Sequence, residues 1–219
     1  MRELGRPEEA LINHEAAISK FREAGFRDSE ARALTHMGAT LLELGRVGEA
    51  VIANREAVRL FRELNLHDGA AHALMNLSNA LRESGELEAA LAASAEALEI
   101  HSSTEDLVGQ ARVLNQLGLI HTDLGYIDQA IADFENSLQL LSGFEDLIDV
   151  GYALANLGRA HGIVGRVGEA VHTLEKAVDV FSDVKAFSDS VFVRELISTL
   201  MLTFVEPTDN SHNEGKSGA

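Results

Sequence analysis

The heptapeptide Gly45-Arg46-Val47-Gly48-Glu49-Ala50-Val51 returns unchanged as Gly165-Arg166-Val167-Gly168-Glu169-Ala170-Val171, three periods of 40 residues later. Outward from it, glycine recurs at Gly5, Gly45, Gly85, Gly125 and Gly165. Alanine follows at Ala10, Ala50, Ala90, Ala130 and Ala170, and a small residue again at Ala17, Ala57, Ala97, Ser137 and Ala177. Upstream of the last four glycines stand Leu34, Leu74, Leu114 and Leu154, then Met37, Leu77, Leu117 and Leu157, then Gly38, Ser78, Gly118 and Gly158. Such a fixed pitch marks one supersecondary unit stacked on copies of itself.

Leu34, Met37, Leu41 and Leu44 have the 3, 4, 3 spacing of an apolar helical stripe. Gly45 can take the left-handed conformation that ends this first helix. Ala50, Asn54, Ala57, Leu60 and Phe61 then form the inner face of a second, antiparallel helix. Small residues at 38, 50 and 57 let the two backbones approach, because overfilling a packed site costs about 1–3 kcal/mol. Asp28 and Asp68 are expected to cap the following first helices. Asp106 and Asp146 stand two residues earlier in their periods, so those helices are expected to begin earlier.

The pattern Leu-x2-Met/Leu-Gly/Ser-x6-Gly-x4-Ala-x6-Ala resembles the tetratricopeptide repeat consensus, in a 40-residue variety, over about residues 1 to 190. The resemblance implies an all-α, right-handed α-solenoid of antiparallel helix pairs. Residues 1–30 supply the second helix of a truncated or capping repeat. Full repeats follow at 31–70, 71–110, 111–150 and 151–190, then a capping helix at 191–205 and a disordered tail at 206–219. The stretches Ala73-Leu74-Met75-Asn76-Leu77-Ser78 and Leu60-Phe61-Arg62-Glu63-Leu64 are similar in style to the arrays of bacterial signalling ATPases, antibiotic-pathway regulators and kinesin light chains. The family implies a protein-interaction module rather than an enzyme: the sensing C-terminal part of a larger bacterial regulator, or alternatively a free-standing scaffold or self-associating adaptor, with an enzyme on a solenoid scaffold as the remote alternative.

Composition narrows the field further. Aromatic residues make up 5% of the 219, with two prolines and no tryptophan, which favours long, closely packed helices. The net charge of −17 repels phosphate backbones and argues against direct nucleic-acid binding. With no cysteine, disulfide scaffolds, thiolate metal sites and cysteine nucleophiles are excluded. The first nine residues contain no apolar run of the secretory kind, and Val191 to Val205 is too short and too charged to span a bilayer. A soluble cytoplasmic protein is expected.

The ends are less regular. Gly5 puts the opening residues in a turn, so either the chain continues a longer array or residues 8–24 form a cap; the typical first unit favours the former. Near the other end, Phe192, Leu196, Leu200 and Phe204 belong to a helix apolar nearly all round. It is either a buried cap or a self-association surface through which the chain forms a homodimer.

In this register the first helices line a concave face, and their columns can be read off. Arg32, His72, Arg112 and Tyr152 form one; His36, Asn76, Gln116 and Asn156 another; Asn79 and Arg159 belong to a third, with Arg82 nearby. Successive amides can act as a ladder gripping a peptide backbone, and arginine forks suit carboxylates. The columns coincide with the usual ligand-contact positions of the resembled family. An acidic or C-terminal peptide is the expected ligand, although the same residues also describe an ordinary solvated helix face.

No chemistry of other kinds is legible. His121 and His161 replace a core-facing leucine and read as packing residues. His67 and His72 lack the helical spacing of a zinc pair. Gly215-Lys216-Ser217 lacks the leading glycine, the strand and the helix of a phosphate loop. No nucleophile elbow and no spaced carboxylate pair is present. No catalytic residue, metal site or cofactor is expected.

Overall fold

The computed structural model describes residues 6–143 and 148–204, which form ten α-helices and no strand. The chain divides into two compact units after Gly143. The first holds α1 (Arg6–Ala24), α2 (Arg27–Glu43), α3 (Val47–Glu63), α4 (His67–Glu83), α5 (Leu87–Ser103), α6 (Leu107–Asp123) and α7 (Ile127–Leu140). The second holds α8 (Ile148–Ile163), α9 (Val167–Asp183) and α10 (Phe187–Phe204). Within each unit every helix packs on the next in sequence, and in the first unit α2 also touches α4, and α4 touches α6. The expected all-α repeat of the solenoid class is thus present. No described helix is long and apolar enough to cross a membrane. The expected tail at 206–219, Gly5, Asp146 and the side chain of Phe204 lie outside the described residues.

A common turn ends the helices on both sides of the repeat. The Gly45 N–H reaches the Leu42 carbonyl at 2.9 Å, and Arg46 N–H reaches Leu41 at 2.8 Å. This paired bonding satisfies the last carbonyls of a helix and requires a left-handed residue just beyond its end. Glycine supplies it at Gly25, Gly45, Gly85, Gly125 and Gly165, but Asn65, Glu105 and Lys185 adopt it too, at φ 56°, 56° and 61°. Among the described residues the left-handed residue therefore comes every 20 positions from 25 to 125 and again at 165 and 185, so a 40-residue repeat in these stretches is two copies of one backbone module; Gly143, at φ 104°, falls outside that series.

This turn also fixes where the next helix begins, which corrects the expected caps. The N-cap positions of α2 and α4 are Phe26 and Leu66, with no side-chain cap bond, while Asp28 and Asp68 lie inside the first turn. There they still favour the positive end of the helix dipole. Asp106 is the true cap: its carboxylate accepts the Gly109 N–H at 2.9 Å, which, ahead of His101, holds its pKa below the ordinary range. Yet α6 starts at Leu107, in step with Arg27 and His67 rather than earlier. The expected repeat edges at 31, 71 and 111 fall one turn inside these helices.

Size exchange between facing positions fills the core. Position 38 and its equivalents face position 54 and its equivalents. Gly38 faces Asn54, Ser78 faces Ser94, Gly118 faces Phe134 and Gly158 faces Leu174. A Cβ on Gly118 would come within 2.5 Å of the Phe134 ring, and one on Gly158 within 2.6 Å of Leu174. The Ser78 and Ser94 hydroxyls share a 2.7 Å hydrogen bond, and Ser78 donates to the Ala90 carbonyl. Large against nothing, or medium against medium, keeps the spacing constant.

The last helix has two differing faces. α10 stands in the register of a first helix, and Val193, equivalent to Ala33, Ala73, Val113 and Ala153, is buried with them. Leu196 and Ile197 pack on Ala155, Leu174 and Phe181. Leu200 covers Gly162. Leu196 and Leu200 are thus half-buried against their own unit. Phe192 is outside, 62% exposed, joined by Phe187, Val191, Met201 and Leu202.

Two stability measurements check this account by urea unfolding. Alanine in place of a mid-helix glycine normally gains up to about 1 kcal/mol, but overpacking should reverse the sign, so Gly118→Ala is expected to lose about 1–3 kcal/mol. Glu105→Gly is expected to gain about 1 kcal/mol by relieving a left-handed side chain.

Candidate partner-binding basin

In the first unit, α2, α4 and α6 present one open basin of about 620 Å³. Arg32, Thr35 and His36 come from α2, Asp68, Gly69, His72, Met75 and Asn76 from α4, and Arg112 from α6, with Phe61 of α3 as an apolar wall. Five expected ligand contacts, Arg32, His36, His72, Asn76 and Arg112, are therefore gathered at one cavity. Phe61 and Gly69 are basin residues that the repeat register does not mark as contacts. Gly69 leaves no side chain over the Phe61 ring, and the small residues at Ser29, Gly69 and Gly109, one period apart, are the signal that points to it.

The charge of the basin departs from that of the molecule. Elsewhere in this unit the arginines are held by carboxylates: Arg22 by Glu30, Arg27 by Glu63, Arg46 by Glu49, Arg59 by Glu56 and Glu63, and Arg62 by Glu96. Among the described residues Arg32 pairs with no carboxylate. Asp68 is the single carboxylate on the basin wall. The His72 Nδ1 lies 2.9 Å from the Asp68 carbonyl oxygen, which orients its ring. Beside it, His36 stacks on His14 of α1, whose pKa is lowered first by burial and then by His36.

The amides of the expected column also bond within the fold. The Gln116 Nε2 donates to the Met75 carbonyl at 2.8 Å, and the Asn76 Nδ2 to the Thr35 carbonyl at 3.4 Å. These amides bind the preceding first helix, tying one repeat to the next. Gln116 is buried, and its Oε1 has no hydrogen-bond partner among the described residues. Asn76 keeps an edge on the basin. Arg82 is also committed, to Asp123 at 2.9 Å and Glu83 at 2.7 Å. Asn79 is exposed on α4 and lies away from the basin wall.

The remaining expected contacts, Tyr152, Asn156 and Arg159, sit on α8 in the second unit. The Tyr152 hydroxyl donates to Asp189 Oδ1 at 3.2 Å, and its ring meets Phe181 edge to face at 5.2 Å. Burial and then the Asp189 charge raise its pKa. Asn156 is half-buried and Arg159 exposed.

The histidines that replace core leucines behave unequally. The His121 Nδ1 lies 2.6 Å from Asp133 Oδ2, whose pKa burial raises against the lowering effect of His121. The buried His161 Nδ1 is 3.6 Å from Glu169, too far for a hydrogen bond. Among the described residues no group of three or more His, Asp or Glu side chains could hold a metal ion.

Comparison with known proteins agrees with this architecture. Models described as tetratricopeptide repeat match residues 1–63 and 109–183, and a second such model matches 70–104. No curated protein matches the chain in sequence. BtubC (BKLC) from P. vanneervenii superposes with a TM-score of 0.68 at 15% identity, over 97% of this chain and 96% of that one. The tetratricopeptide-sensor STAND ATPase (signal transduction ATPase with numerous domains) of Pyrococcus horikoshii gives 0.72 at 15% identity, over 91% of this chain but 32% of its own. The nearly identical TPR-like repeats of a candidate kinesin light chain from Podosopora anserina give 0.60 at 15% identity, over 82% and 99%. At that identity these likenesses carry the fold. With the family models covering most of its length, the chain belongs to the tetratricopeptide repeat family.

Proposed function

We propose that the basin of the first unit binds an acidic segment of a protein partner, and that the chain serves as the sensing part of a cytoplasmic regulator. The observation that carries this reading is Arg32, without a carboxylate of its own, beside Arg112, His36 and His72 in a chain of net charge −17. A local field of opposite sign to the whole molecule selects acidic ligands and repels basic ones. Tetratricopeptide repeats are protein-interaction modules. The sensor role draws on the STAND neighbour, as an analogy of fold.

A second reading concerns α10. Its outward Phe187, Val191, Phe192, Met201 and Leu202 support self-association through this helix. Light scattering of the wild type and Phe192→Ser/Leu202→Ser separates the two cases: a concentration-dependent dimer lost in the variant supports it, and a wild-type monomer at all concentrations defeats it.

The basin is tested by fluorescence anisotropy with a labelled glutamate-rich peptide and a lysine-rich control. The acidic peptide is expected to bind at about micromolar Kd, near −8 kcal/mol. Arg32→Glu, at an exposed position, should weaken binding tenfold or more while changing stability by less than about 0.5 kcal/mol. Equal binding of the two peptides, or an unchanged Kd in the variant, contradicts the reading.

A further inference from the structure

Two pairs of imidazoles flank the basin. His14 of α1 and His36 of α2 stack with centroids 6.2 Å apart and planes inclined by 17°. His72 of α4 and His101 of α5 meet edge to face at 6.0 Å. The inner member of each pair, His36 and His72, lines the cavity, and the outer member backs it. Nothing in a peptide-gripping surface calls for histidine there, since arginine holds its charge at any physiological pH.

We propose that the basin couples the binding of an acidic partner to proton uptake at His36 and His72, so that the partner is held more tightly below neutral pH. The inference rests on the basin being an anion site. An imidazole has an ordinary pKa of about 6.5 and changes charge in the physiological range. Without a ligand Arg32 opposes that charge; carboxylates arriving with a ligand reverse the balance.

His14 is disfavoured as a cation by burial and then by His36, and His36 is the ring of the pair that lines the cavity. Around His72 stand Asp68 on its own helix, Arg112 of α6, and His101 of α5, whose Nδ1 lies 2.9 Å from Asp106 at the start of α6. Asp106 also feels His72 directly. His101 is buried, whereas His72 is exposed and lines the basin. A ligand that raises a ring's affinity for its proton about tenfold gains up to about tenfold in its own affinity as pH falls through the range in which the ring titrates.

The test is anisotropy of the labelled glutamate-rich peptide at pH 5.5, 6.5, 7.5 and 8.5 and constant ionic strength, a range in which the peptide stays largely ionised. Wild type and an exposed-histidine control, His172→Asn, are expected to gain about tenfold or more in affinity from pH 7.5 to 5.5. The double variant His36→Asn/His72→Asn should bind with a nearly flat profile. Tight binding that does not vary with pH, or a slope that survives the double variant, overturns the proton coupling and leaves the anion site standing. Absence of binding at every pH, 5.5 included, overturns both.

Discussion

A left-handed residue every twenty positions, from 25 to 125 and again at 165 and 185, is the constraint on which the rest of the structure depends. A helix of about 17 residues ends where its last carbonyls must find donors. The turn that supplies them, with the N–H of the second residue past the cap reaching back into the last helical turn, needs one residue at positive φ. Because this turn is stereotyped, it sets the direction of the next helix as well as the end of the last. Repeated at both kinds of junction, it makes neighbouring helices antiparallel and places every second one on the same side. The columns that form the basin are a consequence of this geometry.

Packing then follows from steric exchange. The helices approach closely because one partner at each contact is small, and repeats with different residues keep the same spacing by trading volume across the contact, as Gly118 with Phe134 and Ser78 with Ser94 do. Buried donors at this seam find carbonyls nearby: Ser137 donates to the Ala111 carbonyl at 2.7 Å, and the Asn54 Nδ2 to that of Ala50 at 3.0 Å. Neighbouring repeats in the first unit are further tied by Gln116 and Asn76. Stability in such an array is a sum of nearest-neighbour contacts. Exposed side chains such as Arg32 are thereby free to serve a partner at little structural cost.

Much of the fold is legible in residue types because glycine is almost obligatory at half of the turns. The 20-residue half-period is hidden because Asn65, Glu105 and Lys185 reach the same backbone conformation with side chains that carry no such signature. Helix starts are misplaced by sequence for a related reason: aspartate is a sound cap signal, but here the preceding turn sets the start, and Phe26 and Leu66 stand at the cap position without capping. Register locates Arg32, His36, His72, Asn76 and Arg112 on one face, and they line one cavity. It does not reveal that Gln116 points to the Met75 carbonyl, that Arg82 is neutralised by Asp123, or that Leu196 and Leu200 are half-buried against their own unit. Spacing along one helix specifies a face, whereas the choice between solvent and a neighbouring helix depends on the stacking of the next repeat.

The central claim is that one backbone module, ended by a left-handed residue, serves both kinds of junction whether or not glycine occupies the turn. Nuclear magnetic resonance of the folded chain, through the three-bond HN–Hα couplings and Cα shifts at Asn65, Glu105 and Lys185, measures this directly. The account predicts positive φ at all three, matching Gly45 and Gly85. Negative φ at these residues, with Gly45 and Gly85 alone left-handed, would contradict it.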